Sequence, residues 1–344
     1  MHRIAIIADD LTGALDSAAG FAMRGLKTRV VTDTDDFTDA LQDTALQVVA
    51  VSTGTRDGSL AAALATLRTI TPALTRFEGV IFKKIDSRLK GHIAAELAEL
   101  AQTRPLPVLA CPAIPRLGRL VRNGAVTGAG VDSPISVAER LGTGPAIIDA
   151  RTDADIDAAL PDRLDSCVYV GAAGLAEALA RRLAPDAPAP VRRTLPAPLV
   201  LAIGSRDPVT LAQVAQLALP VIAAPDGTVP DFKIAPVTLV QLTAQTADLD
   251  PRLAAAGFSS GIARAIGTRA PRSLFMCGGE TAQAILSRLG IRRLDLLGEV
   301  LPGVPLSRCA DTGLTVITKS GGFGTDSLLA DMLAMMDHQD GPIA

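Results

Sequence analysis

Both halves of this chain repeat one pattern: a short apolar run rich in Val and Ile, a turn of Gly, Ser or Asp, then a longer amphipathic run. Strand-length runs alternating with helix-length ones predict βα units, because a parallel strand can be reached only through a crossover connection. One long stretch, 184–197, shows neither alternation nor helical period and is rich in Pro, so it reads as a linker. It separates an N-terminal domain at 1–183 from a C-terminal domain at 198–344, and 344 residues are comfortable for two cores. The expected fold class is therefore α/β, two domains each with a mainly parallel sheet flanked by helices, and the active site in the interdomain cleft.

Strands are expected near 3–8, 28–32, 47–52, 79–85, 107–111, 146–149 and 167–170, then 198–203, 220–223, 236–240, 273–277 and 314–319. Helices are expected near 12–24, 58–70, 91–102, 134–141 and 174–183, then 208–218, 251–267, 280–289 and 325–336. In such sheets, ligands collect where strand carboxyl ends meet helix N-termini, since unpaired N–H groups and the helix dipole favour anions there.

Several function classes are disfavoured at the outset. A net charge of −3, 3% aromatics, no Trp and the single Tyr169 argue against a nucleic-acid partner, which asks for basic patches and stacking rings. Cys111, Cys167, Cys277 and Cys309 form no C-x-x-C pair, and His2, His92 and His338 offer no ligand spacing, so metal ligands are not assigned. The apolar run before Asp9 is too short for a signal peptide or a membrane span, which makes a cytoplasmic protein without a membrane partner the expectation. Subunit number is open, with a homo-oligomer among the options. Of 33 Lys and Arg only six are Lys; 83, 84 and 90 cluster, and Lys319 precedes a glycine loop. Lys is expected at those places because a compact ammonium is needed there.

Three N-terminal junctions carry chemistry. The first strand runs into Asp9-Asp10-Leu11-Thr12-Gly13. Helix capping by one carboxylate or by Thr12 accounts for part of this and leaves the other Asp over. The second junction reads Lys83-Lys84-Ile85-Asp86-Ser87-Arg88-Leu89-Lys90-Gly91, with Lys84 and Asp86 on one strand face by period-two geometry. In the third, Cys111-Pro112-Ala113-Ile114-Pro115-Arg116-Leu117-Gly118-Arg119, the guanidinium of Arg119 can clamp a carboxylate bidentately. Three C-terminal junctions are small and polar: Gly204-Ser205-Arg206-Asp207, Gly278-Gly279-Glu280-Thr281, and Lys319-Ser320-Gly321-Gly322-Phe323-Gly324. Paired glycines let a backbone approach a ligand closely, and three such loops in one sheet point to polyphosphate. A G-x-x-x-x-G-K-[ST] loop is missing, which disfavours a P-loop enzyme.

Taken with Gly171-Ala172-Ala173-Gly174-Leu175-Ala176, these motifs in this order resemble the four-carbon acid sugar kinases, two-domain enzymes that phosphorylate threonate, erythronate or 3-oxo-tetronate with ATP. The resemblance spans nearly the whole chain. It implies a small acid sugar on the N-terminal domain, with Asp9, Asp10, Lys84, Asp86 and Arg119 on the substrate side; Thr12, Arg88 and Lys90 of the same junctions are further candidates for substrate binding, and an ionised Asp, Asp10 or Asp86, is the expected catalytic base. It implies ATP on the C-terminal domain, held by Ser205, Gly278, Gly279, Glu280, Thr281, Gly321 and Gly322; Lys319 and Gly324 of the third loop are further candidates, and Mg²⁺ is expected with the phosphates. There are departures: the family's D-S-T-L-R-G is here Asp86-Ser87-Arg88-Leu89-Lys90-Gly91, so Arg replaces a hydroxyl and Lys replaces Arg; Arg206-Asp207 follows Gly204-Ser205 where the family tends to have small residues; and the chain is shorter than the usual member, mostly within the N-terminal domain. Two other readings are a degenerate kinase acting as a sensor, and an aspartyl phosphatase whose Asp-x-Asp-x-Thr motif would be off by one.

Overall fold

The computed structural model describes residues 3–188, 193–246, 250–267 and 270–336. The chain forms two compact units, Met1–Ala189 and Pro190–Ala344. Their division falls inside the 184–197 segment, of which 189–192 lie outside the described residues.

Unit 1 contains strands β1 (Ile4–Ala8), β2 (Thr28–Val31), β3 (Val48–Ser52), β4 (Val80–Lys84), β5 (Val108–Cys111), β6 (Arg119–Arg122), β7 (Ala125–Gly128), β8 (Ile135–Ser136), β9 (Ala146–Ile147) and β10 (Val168–Gly171). Its helices are α1 (Leu11–Met23), α2 (Asp35–Gln42), α3 (Leu60–Arg76), α4 (Ile93–Thr103), α5 (Val137–Leu141), α6 (Asp153–Ala159) and α7 (Ala173–Leu183). The main sheet runs β2-β3-β1-β4-β10-β5-β9, every pair parallel. Every residue of β1, β3 and β4 is buried, as a parallel sheet covered on both faces requires. From β1 the chain moves toward β2, whereas β4 lies on the other side of β1. The carboxyl ends of β1 and β4 therefore flank a topological switch point, where such sheets open a crevice.

Unit 2 contains β11 (Leu199–Ile203), β12 (Val221–Pro225), β13 (Val237–Thr243), β14 (Ser273–Cys277), β15 (Arg293–Leu301), β16 (Val304–Cys309) and β17 (Thr315–Lys319), with helices α8 (Pro208–Ala215), α9 (Pro251–Gly267), α10 (Gly279–Arg288) and α11 (Leu328–Leu333). The order β12-β13-β11-β14-β17-β16-β15 places a second switch point between β11 and β14, with β17 alongside. The core is built largely from these strands, with Leu201, Phe275, Ile317 and Leu329 fully buried.

The expected strands and the expected βα rhythm are present, but two antiparallel ribbons and helices α2 and α6 lie outside the expected set. β6 and β7 are joined by Asn123-Gly124, both at positive φ (50° and 70°), the conformation of the tight hairpin turn that fits strand twist. β15 alternates exposed or half-buried residues with buried ones and returns as β16, so the edge of unit 2 is antiparallel.

Candidate active site

At the switch point of unit 1, β1 ends in two carboxylates. Asp10 caps α1: its Oδ1 accepts the Gly13 amide (2.9 Å) and its Oδ2 accepts the Thr12 hydroxyl (2.7 Å). Asp9 is buried. Both are held by Arg56, which follows β3 and was not among the residues expected from sequence. Its Nε and Nη2 donate to Asp9 (3.1 and 2.6 Å), and its Nη1 and Nη2 donate to Asp10 (2.7 and 2.8 Å). Burial opposes the charge on Asp10, but Arg56 and then Lys84, with Thr12 and Gly13, outweigh it and hold the carboxyl below its usual range. Burial likewise works against the Arg56 charge, yet Asp9, Asp10 and Asp86 raise its pKa above that of an ordinary guanidinium.

β4 ends at Lys84, so Asp86 sits in the turn beyond rather than on the strand. Lys84 Nζ donates to Ile85 O (2.9 Å) and lies against Gly13 beside the Asp10 carboxylate; a Cβ on Gly13 would stand 2.9 Å from Nζ and 2.4 Å from Asp10 Oδ1. Asp86 Oδ2 accepts the amides of Arg88 (2.9 Å) and Lys90 (3.3 Å), which folds 86–90 into a tight loop with Leu89 at φ 58°. Arg88 and Lys90 are exposed on that loop. Gly91, at φ 94°, brings the chain back to Asp9 and Arg56. Arg119, at the start of β6, donates to Ser87 Oγ (2.5 Å) and twice to Ala129 O (3.0 and 2.8 Å). Both acceptors are neutral. Burial and then the Arg88 charge lower the pKa of Arg119, opposed by Asp86. Arg116, the other guanidinium of this loop, pairs with Glu177 (2.8 Å) and Asp16 (3.3 Å).

In unit 2 the three glycine junctions interlock. The Gly204 and Ser205 amides both donate to Cys277 O (3.2 and 3.1 Å), and the Gly278 amide donates to Lys319 O (2.9 Å). Gly278 supplies a positive φ of 105° rather than a free donor. The amides that α10 leaves without intrahelical partners are those of its first turn, Gly279, Glu280 and Thr281. Glu280 is exposed, while Thr281 packs its side chain against Gly204, where a Cβ would come within 2.1 Å. Gly321 has the same constraint, with Ser205 Oγ 2.3 Å from the Cβ it lacks, and a Cβ on Gly322 would stand 2.9 Å from Asp207 Oδ2. Asp207 caps α8 through the Val209 amide.

Lys319 shapes its loop from within. It is buried, and its Nζ donates to the carbonyls of Ser320, Gly321 and Phe323 (2.9, 2.9 and 3.0 Å) and to Thr210 Oγ1 (3.2 Å). Burial lowers its pKa, with Cys277 and Asp207 opposing. Gln213 Nε2 and Thr210 Oγ1 add bonds to the same carbonyl-lined turn, and Gly324, at φ 94°, closes it against Leu328. Among the described residues, no group of three or more His, Cys, Asp and Glu is arranged to hold a metal ion.

Comparison with known proteins finds two domain matches. Residues 4–140 match a sugar-binding N-terminal domain and 241–329 a nucleotide-binding C-terminal domain. A D-threonate kinase of Cupriavidus necator is 30% identical, the match covering 98% of this chain and 99% of the relative. A D-threonate kinase of Bordetella bronchiseptica is 29% identical, covering 95% of each chain, and a 3-oxo-tetronate kinase of Methylobacterium radiotolerans is 26% identical, covering 96% and 98%. A Salmonella typhimurium LT2 crystal structure, solved under a provisional description as a tRNA synthase, superposes with a TM-score of 0.80 at 18% identity over 98% of this chain and all of that one, which shows the fold. On its two domain matches and 30% identity over nearly its full length, this chain belongs to the four-carbon acid sugar kinase family.

Proposed function

We propose that the protein is an ATP-dependent kinase that phosphorylates a hydroxyl of a small acid sugar, of the threonate, erythronate or 3-oxo-tetronate kind. The observation that carries this reading is the mixture at the unit 1 switch point. The carboxylates of Asp9 and Asp86 offer acceptors for substrate hydroxyls, and beside them Arg119, bonded to neutral oxygens, offers charge for a carboxylate. A polyhydroxy acid is the small molecule that presents both. The names of the relatives support the same class.

Within that site the base is Asp86. All the bonding directions of Asp10 are taken: each oxygen accepts two hydrogen bonds, from Gly13, Thr12 and twice from Arg56. A carboxylate so tied is a weak proton acceptor, and the same bonds disfavour an aspartyl nucleophile at this turn. Asp86 places both of its backbone bonds on Oδ2, which leaves Oδ1 to receive the hydroxyl proton. Arg119 and Lys84 hold the substrate, and the exposed Arg88 and Lys90 edge the same loop.

The nucleotide phosphates are assigned to unit 2, at the first-turn amides of α10 and the close-approach glycines Gly321 and Gly322 beside Ser205. Mg²⁺, carried by the phosphates, needs only one or two protein carboxylates, and Asp207, whose Oδ2 faces Gly322, fits that need. The ion supplies charge neutralisation for a loose phosphoryl transfer. The test is ADP release with ATP, Mg²⁺ and a panel of four-carbon aldonates. Turnover with at least one is expected; ATP binding without turnover on any would turn the reading to a sensor.

A further inference from the structure

Lys83 and Lys84 are neighbours on β4, so their side chains leave opposite faces of the sheet. Lys84 enters the site. Lys83 is fully buried away from it, with Nζ 2.6 Å from Glu96 Oε2 on α4, and Glu96 is itself buried. A buried ion pair is weak as a source of stability, because apolar residues of similar volume usually serve as well. The placement of this pair suggests another purpose. Glu96 Oε1 accepts the Thr55 hydroxyl at 2.5 Å, Thr55 and Thr53 hydroxyls meet at 2.9 Å, and Thr53 Oγ1 reaches Ala8 O at 2.9 Å. With one proton on each hydroxyl, Thr55 donates to the carboxylate, and Thr53 donates either to Thr55 or to Ala8 O. The residue after Thr55 is Arg56, whose own amide donates to Asp9 O (3.3 Å) and whose guanidinium grips both aspartates.

We propose that Lys83, Glu96 and Thr55 are positioning residues: anchored on the buried pair, Thr55 fixes the 53–56 loop so that Arg56 holds Asp9 and Asp10 in one geometry at the substrate site. Lys83 fixes the Glu96 carboxylate, Glu96 takes the Thr55 proton, and the loop cannot swing without leaving a buried charge short of a partner. This rests on the acid sugar reading only for its effect on kinetics; the effect on Arg56 stands by itself.

The test is Thr55→Val, which keeps shape and removes the hydroxyl, beside Thr55→Ser, which keeps the hydroxyl. In T55V the KM for the acid sugar is expected to rise about five- to tenfold, with kcat and the KM for ATP within about twofold of wild type. T55S is expected to match wild type. In parallel, the Arg56 Nε–H signal, assigned through bonds to its own backbone, should exchange with solvent at least about tenfold faster in T55V and not in T55S. The proposal is overturned if T55V keeps wild-type KM and exchange, or if both KM values shift together in T55V and T55S alike. Should T55V not fold, the apolar pair Lys83→Met/Glu96→Leu, which leaves no lone buried charge, must give the same two changes. If no acid sugar is turned over by wild type, the exchange comparison alone decides the positioning, and the failure belongs to the functional reading.

Discussion

Replacing Arg56 by Met removes the one cation that bonds to both Asp9 and Asp10 and leaves two adjacent carboxylates with Lys84. Four hydrogen bonds of 2.6–3.1 Å are lost. Breaking a buried ion pair by deleting one partner costs about 3–5 kcal/mol. The low end applies here, because the side chains of Arg56 and Asp10 keep 17% and 24% of their exposure. With a urea slope of about 2 kcal/mol per M, a loss of about 3 kcal/mol moves the midpoint of unit 1 down by about 1.5 M. The probe is built in: Tyr169 is the only tyrosine, there is no Trp, and it is buried in unit 1, so its fluorescence follows that unit alone. The pH dependence has a definite sign. Since the folded-state pKa of Asp10 is depressed below the 3.8 of a free carboxyl, ionised Asp10 stabilises unit 1 above that value, and its contribution drains away as pH falls through the folded value. The gap between wild type and R56M should therefore narrow toward pH 3. A midpoint shift under about 0.3 M, or a gap that stays constant down to pH 3, would refute the account of Arg56 as the clamp on both carboxylates.

The two aspartate candidates separate by kinetics. Asp86→Asn is expected to lower kcat by about 10²–10⁴-fold with the Tyr169 unfolding transition unmoved, whereas Asp10→Asn should shift that transition as well; equal kcat for D86N and wild type rejects Asp86 as base. Arg119→Met should raise the KM for the acid sugar about tenfold and leave that for ATP alone, read in the same ADP-release assay; a change confined to ATP would move Arg119 out of the substrate site. Gly321→Ala puts a methyl 2.3 Å from Ser205 Oγ and should raise the KM for ATP about tenfold, while sparing the acid sugar; ATP titration of G321A at wild-type KM would show that this loop yields freely.

The fold was legible because parallel strands buried on both faces must be apolar throughout, and β1, β3 and β4 advertise themselves as Ile-Ala-Ile-Ile, Val-Val-Ala-Val and Val-Ile-Phe. The ribbons were harder to read, since β6 and β7 hold only four residues each and their signal is the Asn123-Gly124 turn rather than a long periodic run. Asp9, Asp10, Lys84 and Asp86 stand out in the sequence because each lies at or just beyond the end of a strand that the pattern locates. Arg56 lies just beyond a strand too, in Thr53-Gly54-Thr55-Arg56-Asp57-Gly58, but a lone Arg in a polar loop carries no spacing that sets it apart. Its partners are 46 and 47 residues away, and only the parallel register of β3 beside β1 brings them together.

Lysine usage shows how far a compositional clue reaches. Of the six lysines, the three that are buried are Lys83, Lys84 and Lys319, all at strand carboxyl ends. Lys90, equally conspicuous in sequence, is exposed. What the buried three share is the solvation of an ammonium by oxygens its own fold supplies: Glu96 for Lys83, Ile85 O for Lys84, and three loop carbonyls for Lys319. A compact ammonium can be enclosed by carbonyls converging from a single turn, whereas a planar guanidinium spreads its donors over a fork and needs partners on a wider front, as Arg56 finds in two carboxylates. Lys84 and Lys319 thus mark where a turn is folded around a charge, whereas Lys83 and Arg56 mark where a charge reaches across to a carboxylate on a neighbouring element. This explains why Lys319, placed by sequence among the nucleotide contacts, spends its donors on the loop that would make them.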